Sequence, residues 1–312
     1  MSRPPARFLA LGEGLVEIAV GDGEPILACG GDAANVCVMA ASLGAEARLA
    51  GRVGDDALGR MLIAGWRRAG VDVTGVRSDP AAPTGLYVNE AGERGHRFTY
   101  WRAGSAGSRL RPADLNPATL EAVDAVVVTG VTLAVSASSA AAALVAAESA
   151  WERGGWLVCV LNHRPALGGD REALAALAAR SDLVIGSRDD AGAVFGSGEP
   201  DAVRAALAAD SELVLSDGGR PAVALSGEGA WSQPVPATPL RNAGGAGDAM
   251  AGAYLWARLG GEPIPRALAW GVAAASLSVR RVGCASAYPG HAETLAALRA
   301  LPAAVRVEGT AV

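Results

Sequence analysis

The chain has 312 residues, of which 51% are hydrophobic and 19% are charged, and its net charge is −5. This composition is typical of a globular enzyme, and the length allows one large α/β domain with an excursion or two domains. All 27 basic residues are arginine and they form no basic run. Nucleic acid and an anionic membrane surface are therefore not expected partners, and no lysine is present to contact a phosphate.

The cysteines and the N-terminal run indicate the compartment. Four cysteines lie far apart and without C-x-x-C spacing: Cys29, Cys37, Cys159 and Cys284. That spacing predicts buried thiols in a reducing cytoplasm and argues against a metal site. The N-terminal run contains Glu13 and Glu17 and lacks a small-residue cleavage site, and no apolar stretch reaches the length of a membrane span. We therefore expect a cytoplasmic protein without a membrane partner.

Short apolar strands alternate with alanine- and leucine-rich helices along most of the chain. In chain order, apolar runs predict strands at 7–12, 47–54, 125–131, 156–162, 182–187 and 213–219. Helices are predicted at 33–43, 56–69, 137–153, 171–180, 189–195, 200–209, 246–259, 263–281 and 291–300. This alternation predicts right-handed crossovers and a doubly wound parallel sheet flanked by helices, with ligands at the carboxyl ends of the strands.

Two segments depart from that alternation. Residues 13–30 and 84–102 are predicted to be extended, with turn signals at Gly21-Asp22-Gly23 and at Glu90-Ala91-Gly92-Glu93. Two such hairpins, inserted between crossover units, are expected to form a small β-sheet that covers one face of the core as a lid. The predicted division is therefore discontinuous, with an α/β core at 1–11, 35–75 and 105–312 and a β lid at 12–34 and 76–104.

A glycine-rich turn runs directly into a predicted helix in RNAGGAGDAMAGAYLWARLG, residues 241–260. Gly244, Gly245 and Gly247 allow the backbone to approach a ligand, so that N–H groups and the positive end of the helix dipole can bind a phosphate. Asp248 lies in the first turn, where its carboxylate can accept the proton of an attacking hydroxyl. A plain loop with Asp248 as a favourable first-turn charge is the alternative interpretation.

Several separate segments resemble one enzyme family. GGDAANVCVMAASLGAEARLAGRVGDDALGRMLIAGWRRAGVDV (30–73) is similar to the N-terminal signature of the ribokinase, or PfkB, family of carbohydrate kinases, and NAGGAGDAM (242–250) is similar to its C-terminal signature. SVRRVGCASAYPG (278–290) resembles the family's segment near the adenine pocket. Within the family, the likeness is closest to the 2-keto-3-deoxygluconate kinases, at GEGLVEI (12–18), GGDAAN (30–35), TGLYV (84–88), TYWRAGSAGSRL (99–110) and NHR (162–164).

This resemblance implies a ribokinase-like fold with a nucleotide-binding core, and an enzyme that uses ATP and Mg²⁺. The implied reaction is phosphorylation of a sugar acid at a primary hydroxyl, here 2-keto-3-deoxygluconate to its 6-phosphate. Asp248 is then expected to be the catalytic base. The amides of the turn that includes Gly245, Ala246 and Gly247 are expected to form an anion hole for the transferring phosphoryl group.

The implied substrate site combines an arginine fork with hydrogen-bonding aromatic residues, because a sugar acid carries a carboxylate and several hydroxyls. The residues that match this site are Glu17, Gly30, Gly31, Asp32, Asn35, Tyr87, Tyr100, Arg102, Arg164 and Asp248. Taken singly, Arg102 also suits a solvated strand end, the two tyrosines suit packing within the lid, and Asp32 suits a helix cap. Their joint occurrence favours the substrate site.

The implied nucleotide site is a shallow groove on the other side of Asp248. It is expected to include Ser187, Ser216, Gly218, Gly219, Asn242, Gly245, Gly247, Ala274 and Ser278. Asp190 is expected to associate with Mg²⁺ indirectly. Closure of the lid is expected to exclude water and so to suppress hydrolysis of ATP.

Alternatives to a sugar-acid kinase remain open at this point. One is a kinase of the same fold that acts on another sugar or on a nucleoside, although two matching arginines argue against a neutral substrate. The other is a sugar-binding regulator with weak or no catalysis, suggested by Ser187, Ser216 and Asn242, which replace residues common in the family. A sheet-like lid with exposed edges also predicts a homodimer that associates lid to lid.

Overall fold

A computed structural model describes residues 6–20, 24–92 and 95–307. The strands are, in chain order, β1 (Arg7–Leu11), β2 (Leu15–Val20), β3 (Ile26–Gly30), β4 (Glu46–Gly54), β5 (Asp72–Asp79), β6 (Gly85–Gly92), β7 (Gly95–Trp101), β8 (Ala125–Thr129), β9 (Trp156–Val160), β10 (Leu183–Ser187), β11 (Glu212–Asp217), β12 (Arg220–Ser226), β13 (Gly229–Gln233) and β14 (Val305–Arg306). The helices are α1 (Asp32–Leu43), α2 (Ala57–Arg68), α3 (Pro117–Glu121), α4 (Gly130–Ala134), α5 (Ala137–Glu152), α6 (Arg171–Ala179), α7 (Arg188–Phe195), α8 (Pro200–Arg204), α9 (Ala246–Leu259), α10 (Ile264–Ser278) and α11 (His291–Ala300).

The larger sheet has the strand order β14-β13-β12-β11-β10-β9-β8-β1-β4-β5. All strands from β11 to β5 in that order are parallel. The other three strands, β12, β13 and β14, pair antiparallel and extend the sheet beyond β11. The direction of winding reverses between β1 and β8, and such a switch point opens a crevice at the carboxyl ends of the strands. The predicted doubly wound parallel sheet is confirmed.

Helices cover both faces of this sheet, because its central strands are apolar on both sides. All five residues of β8 are buried. Val127 packs in the cluster that contains α1, α9 and α10, whereas Val126 and Val128 pack in the cluster that contains α5, α6 and α7. No helix in the described part of the chain combines the length and the hydropathy of a membrane span.

The smaller sheet has the order β3-β2-β6-β7 and is built from the two predicted hairpins. β2 pairs antiparallel with β3, β6 pairs antiparallel with β7, and a parallel pairing of β2 with β6 joins the hairpins. The turn signal at 21–23 and Glu93 of the second signal lie outside the described residues, while Glu90, Ala91 and Gly92 belong to β6.

One strand crosses a predicted boundary between core and lid. β5 pairs with β4 from Arg48↔Asp72 to Gly54↔Asp79. Residues 76–79 therefore lie in the larger sheet and not in the lid, because the strand continues to pair beyond residue 75. The rest of the predicted division stays a prediction.

Candidate active site

A cavity of about 810 Å³ lies between the carboxyl ends of the larger sheet and the smaller sheet. The ends of β9, β10 and β11 contribute Val160, Ser187 and Ser216 to its wall, and the smaller sheet contributes Tyr87 and Tyr100. This volume is within the range of small-molecule sites in proteins. The structure thus forms a site at the edge of the sheet where the strand pattern predicts one.

Most of the predicted site residues line this one cavity. They are Gly31, Asp32, Asn35, Tyr87, Tyr100, Arg102, Arg164, Ser187, Asp190, Ser216, Gly245, Gly247 and Asp248. The substrate and nucleotide sets, which the sequence predicts separately, therefore meet in one space with Asp248 in its wall.

Asp248 is held by two amide side chains. Asn35 of α1 donates to one of its carboxylate oxygens at 2.9 Å, and Asn162 donates to the other at 2.9 Å. Burial and the nearby carboxylate of Asp32 raise the pKa of Asp248 to about 6, against the opposing effects of the two amides and of Arg164. Such a carboxylate is ionised at neutral pH and is more basic than an exposed one, as a general base should be.

Asn162 is a site residue that the sequence reasoning did not single out, although it begins the NHR segment. It donates to Asp32 at 3.3 Å as well as to Asp248. Its backbone has φ 29°, which makes it the one non-glycine residue with positive φ in the described part of the chain. A strained backbone of this kind clusters at functional sites. Asp32 accepts the N–H of Ala33 at 2.8 Å and lines the cavity. It is the first residue of α1, whose N-cap is Gly31 without a side-chain cap hydrogen bond, so the alternative role of Asp32 as the cap does not hold.

The start of α9 presents bare backbone to the cavity. Gly245 is the N-cap of the helix, with φ 77°, and a side chain there would lie 2.7 Å from the hydroxyl oxygen of Tyr288. Gly247 has open space where a Cβ would be. The positive φ of the turn therefore falls on Gly245, and Gly247 keeps the space in front of the helix N-terminus clear. Amides at a helix N-terminus bind anions, so this turn suits phosphate groups.

The two predicted arginines each have a carboxylate partner. Arg102 forms an ion pair with Glu13, and only 11% and 1% of the two side chains are exposed. Burial and the positive charge of Arg164 lower the pKa of Arg102 to about 10. Arg164 lies 3.6 Å from Asp190 and is half-exposed. Both arginines line the same cavity, each beside a carboxylate that also lines it.

Glu13 also lines the cavity, whereas the sequence reasoning selected Glu17. The carboxylate of Glu17 is fully buried and accepts hydrogen bonds from Asn89 at 2.9 Å and from the Cys284 backbone at 2.8 Å. It is not part of the cavity wall, so the structure gives no support to its predicted substrate contact. Gly30 is also outside the cavity wall, and it packs against the ring of Tyr87.

The residues predicted for the nucleotide site have different surroundings in the structure. Gly218 and Gly219 have open space beside them in the turn after β11. Asn242 is buried and accepts the N–H of Gly244 at 2.8 Å, which shapes the glycine turn. The remaining two, Ala274 and Ser278, are 0% and 3% exposed within α10. Protein atoms enclose both, so the structure gives no support to these two predicted contacts.

The acids near the start of α7 suit a hydrated metal ion better than a directly ligated one. Among the described residues, no group of three or more His, Cys, Asp and Glu side chains converges to hold a metal. Asp190 lines the cavity with both oxygens engaged, one by the Ser187 hydroxyl at 2.7 Å and one by the His163 N–H at 3.0 Å. Asp189 lines the cavity and is exposed. Since Mg²⁺ keeps several waters and needs only one or two carboxylates beside phosphates, these acids fit an ion held through water.

Comparison with known proteins agrees with this geometry. Residues 24–290 match the model of the pfkB family carbohydrate kinases. A 2-dehydro-3-deoxygluconokinase from Thermoproteus tenax is 34% identical over 281 residues, covering 87% of this chain and 85% of that protein. A 5-dehydro-2-deoxygluconokinase from Bacillus velezensis is 29% identical over 283 residues, covering 87% and 85%. The crystal structure of a putative ribokinase II from E. coli, in complex with ATP and Mg²⁺, shares the fold with a TM-score of 0.86 at 21% identity, covering 95% of this chain and 99% of that one. The chain therefore belongs to the pfkB family of carbohydrate kinases, as its sequence signatures predicted.

Proposed function

We propose that this kinase transfers the γ-phosphoryl group of ATP to the primary hydroxyl of a sugar acid, 2-keto-3-deoxygluconate, and releases the 6-phosphate. One observation carries the proposal: two arginines and a buried aspartate with a raised pKa line the same cavity. The relative from Thermoproteus tenax, a 2-dehydro-3-deoxygluconokinase, supports the same substrate.

Two arginines in the cavity wall offer contacts to an anionic sugar. Arg102 and Arg164 lie close enough for the charge of one to lower the pKa of the other. A carboxylate placed between them relieves this repulsion and accepts charge-assisted hydrogen bonds. Tyr87 and Tyr100, with ring centroids 5.4 Å apart, form an aromatic wall beside the arginines that suits the sugar.

In the reaction, Asp248 removes the proton from the attacking hydroxyl. Asn35 and Asn162 fix its two oxygens, so the base does not need to be reoriented when the sugar binds. The N–H groups at the start of α9 stabilise the charge that develops on the transferring group. When bound, ATP would supply the phosphoryl group and Mg²⁺ would neutralise charge on its phosphates. The smaller sheet closes the site from water.

A substrate panel with two arginine variants tests the proposal. The wild type is assayed with 2-keto-3-deoxygluconate, with its analogue reduced to the alcohol at the carboxylate, and with hexoses and nucleosides. Arg102→Ala and Arg164→Ala should each raise the Michaelis constant for the acid by a factor that corresponds to about 1.5–3 kcal/mol, the usual strength of a hydrogen bond to a charged group. The constant for ATP should barely change. If both variants keep the wild-type preference for acid over alcohol, the proposal of a sugar-acid substrate is wrong.

A second candidate substrate is 5-dehydro-2-deoxygluconate, which the relative from Bacillus velezensis favours. It also carries a carboxylate, so the two arginines suit both acids and the panel must include both. Tight binding of either acid without turnover would instead support the sugar-binding regulator.

The proposed setting is a cytoplasmic homodimer. Support for the compartment comes from the absence of any disulfide among the four cysteines. Support for the dimer comes from apolar side chains on the edge strands of the smaller sheet, where Leu27 of β3 is 55% exposed and Trp101 of β7 is 57% exposed.

A further inference from the structure

Asp190 lies at a junction between the two halves of the cavity. It belongs to the first turn of α7, where its carboxylate and the Ser187 hydroxyl form a reciprocal capping box. Its other oxygen accepts the N–H of His163 at 3.0 Å and lies 3.6 Å from Arg164. One side chain thus connects the helix that begins at the nucleotide side to the segment that follows β9.

That segment, residues 162–164, carries two side chains that the proposed reaction needs. Asn162 donates to Asp248 and to Asp32. Arg164 lines the cavity and, in the proposed function, binds the sugar acid. A small rotation of this short segment would therefore move a contact of the base and a contact of the substrate together.

The backbone of the segment does not hold this conformation by itself. Asn162 has φ 29°, which an L-residue adopts at some cost in energy and keeps only when its surroundings fix it. The very next amide, that of His163, is the one that donates to Asp190. The arginine's own Nη1 also donates to the His163 carbonyl at 2.9 Å, so the guanidinium and the peptide are fixed together beside Asp190.

We propose that Asp190 is a positioning residue for the sugar acid: it holds the 162–164 segment so that Arg164 faces the substrate and Asn162 faces the base. The inference rests on the proposed function for the identity of the substrate. It makes a claim that association with Mg²⁺ alone does not, namely that Asp190 affects the sugar when neither metal nor nucleotide is present.

The test compares Asp190→Asn with Asp201→Asn. The asparagine at 190 retains an oxygen for the helix cap, and the control removes the same charge from an exposed first-turn position of α8, outside the cavity wall. Binding of 2-keto-3-deoxygluconate is measured by calorimetry without nucleotide and without Mg²⁺. Asp190→Asn should weaken this binding about tenfold, as expected for the loss of a contact to a charged group, while Asp201→Asn should stay within about twofold of the wild type.

Two further measurements separate positioning from other roles. The Mg²⁺ concentration for half-maximal activity is measured in parallel, because an acid associated with the metal alone would raise this concentration and leave metal-free sugar binding unchanged. In the Arg164→Ala background, Asp190→Asn should weaken sugar binding much less than it does alone, because the two residues act through one contact. Thermal midpoints equal to that of the wild type in both aspartate variants show that the fold is kept.

The inference is overturned if Asp190→Asn binds the sugar acid as the wild type does and only its Mg²⁺ requirement rises. It is also overturned if the effects of Asp190→Asn and Arg164→Ala simply multiply. A wild-type enzyme that rejects the sugar acid contradicts the proposed function instead, and the same variants are then compared with the sugar that the panel identifies.

Discussion

Asp248 combines two properties that oppose each other in water. It is buried, which favours the protonated form, yet two amide donors contact its oxygens, which favours the carboxylate. The balance leaves a base that is ionised at neutral pH but holds a proton more tightly than an exposed aspartate does.

Replacing this base should abolish most of the turnover while sugar binding persists. Asp248→Asn has nearly the same shape, and we expect turnover to fall by at least about a hundredfold, since general-base catalysis usually contributes 10²–10⁴. Steady-state kinetics with a parallel calorimetric measurement of sugar binding checks this. Turnover comparable to the wild type would show that another group takes the proton.

The raised pKa of Asp248 also predicts a pH dependence. The base acts in its ionised form, so kcat/KM should fall as the pH decreases through about 6, where Asp248 becomes protonated. Asp32→Asn removes a charge that raises this pKa, and it should therefore shift the acid limb to lower pH. Asp201→Asn, which removes an exposed first-turn acid in α8, is the control and should leave the limb in place. If the acid limb of the kcat/KM profile does not shift in Asp32→Asn, the assignment of this limb to Asp248 is wrong.

At the scale of elements, the two glycines at the start of α9 are expected to respond differently to substitution. Gly247 lies in the helix with open space beside it, so Gly247→Ala should fold with an unchanged thermal midpoint. Its new methyl group should occupy the space where phosphate approaches the amides and should lower turnover by at least tenfold. Gly290→Ala, at the N-cap of α11 with equally open surroundings, is the matched control.

Full activity of Gly247→Ala would remove the phosphate-binding role from this turn. Gly245 is a poorer test, because its φ of 77° and the contact with Tyr288 make any side chain there strained.

Elements with strong apolar periodicity are predictable from this sequence, whereas several strands at or near the edges of the larger sheet are not. The sequence predicts β8 and β9 because they are continuous apolar runs, as expected for strands buried on both faces. It misses β5, DVTGVRSD, which lies at the edge of the sheet and in which valines are interspersed with charged and small residues. It also misses β12 and β13, which form an antiparallel hairpin outside the repeating pattern.

The ends of strands and helices depend on hydrogen bonds that the hydrophobic periodicity of the sequence does not indicate. The predicted strand at 125–131 stops at Thr129, because the side chain of Thr129 caps α4 by accepting the N–H of Thr132 at 3.1 Å. The predicted helix at 200–209 is reduced to α8, Pro200–Arg204. A side-chain cap or a local turn decided each boundary, and hydrophobic periodicity indicates neither.

For the site, residues in motifs were predictable and their partners were not. Glu13 precedes β2 between two glycines, and its pairing with Arg102 depends on a close approach to Gly107, where a Cβ would lie 2.6 Å from that of Glu13. Sequence spacing contains no trace of this contact. Glu17, which was selected through the resemblance to the family's substrate site, is enclosed by Asn89 and Cys284 instead.

At the scale of the whole molecule, the smaller sheet predicts association. If its exposed apolar edges meet in a homodimer, Leu27→Ser and Trp101→Ser should each raise the dimer dissociation constant at least tenfold in sedimentation measurements. Leu144→Ser, which changes a 49% exposed leucine on α5, is the control and should leave association unchanged. A monomeric wild type, or dimers that tolerate both serines, would contradict lid-to-lid association.

The hydrogen bond between Asn35 and Asp248 also has a consequence for the order in which the site is synthesised. Asn35 and Asp248 are separated by 213 positions, and a ribosome adding about 5–20 residues per second needs roughly 10–40 s to cover that interval. The nascent chain therefore carries the sugar-facing half of its machinery well before the base exists. Because Asp248 lies in the first turn of α9, a truncated product that stops before this helix lacks the proposed base, and we expect no phosphoryl transfer from it.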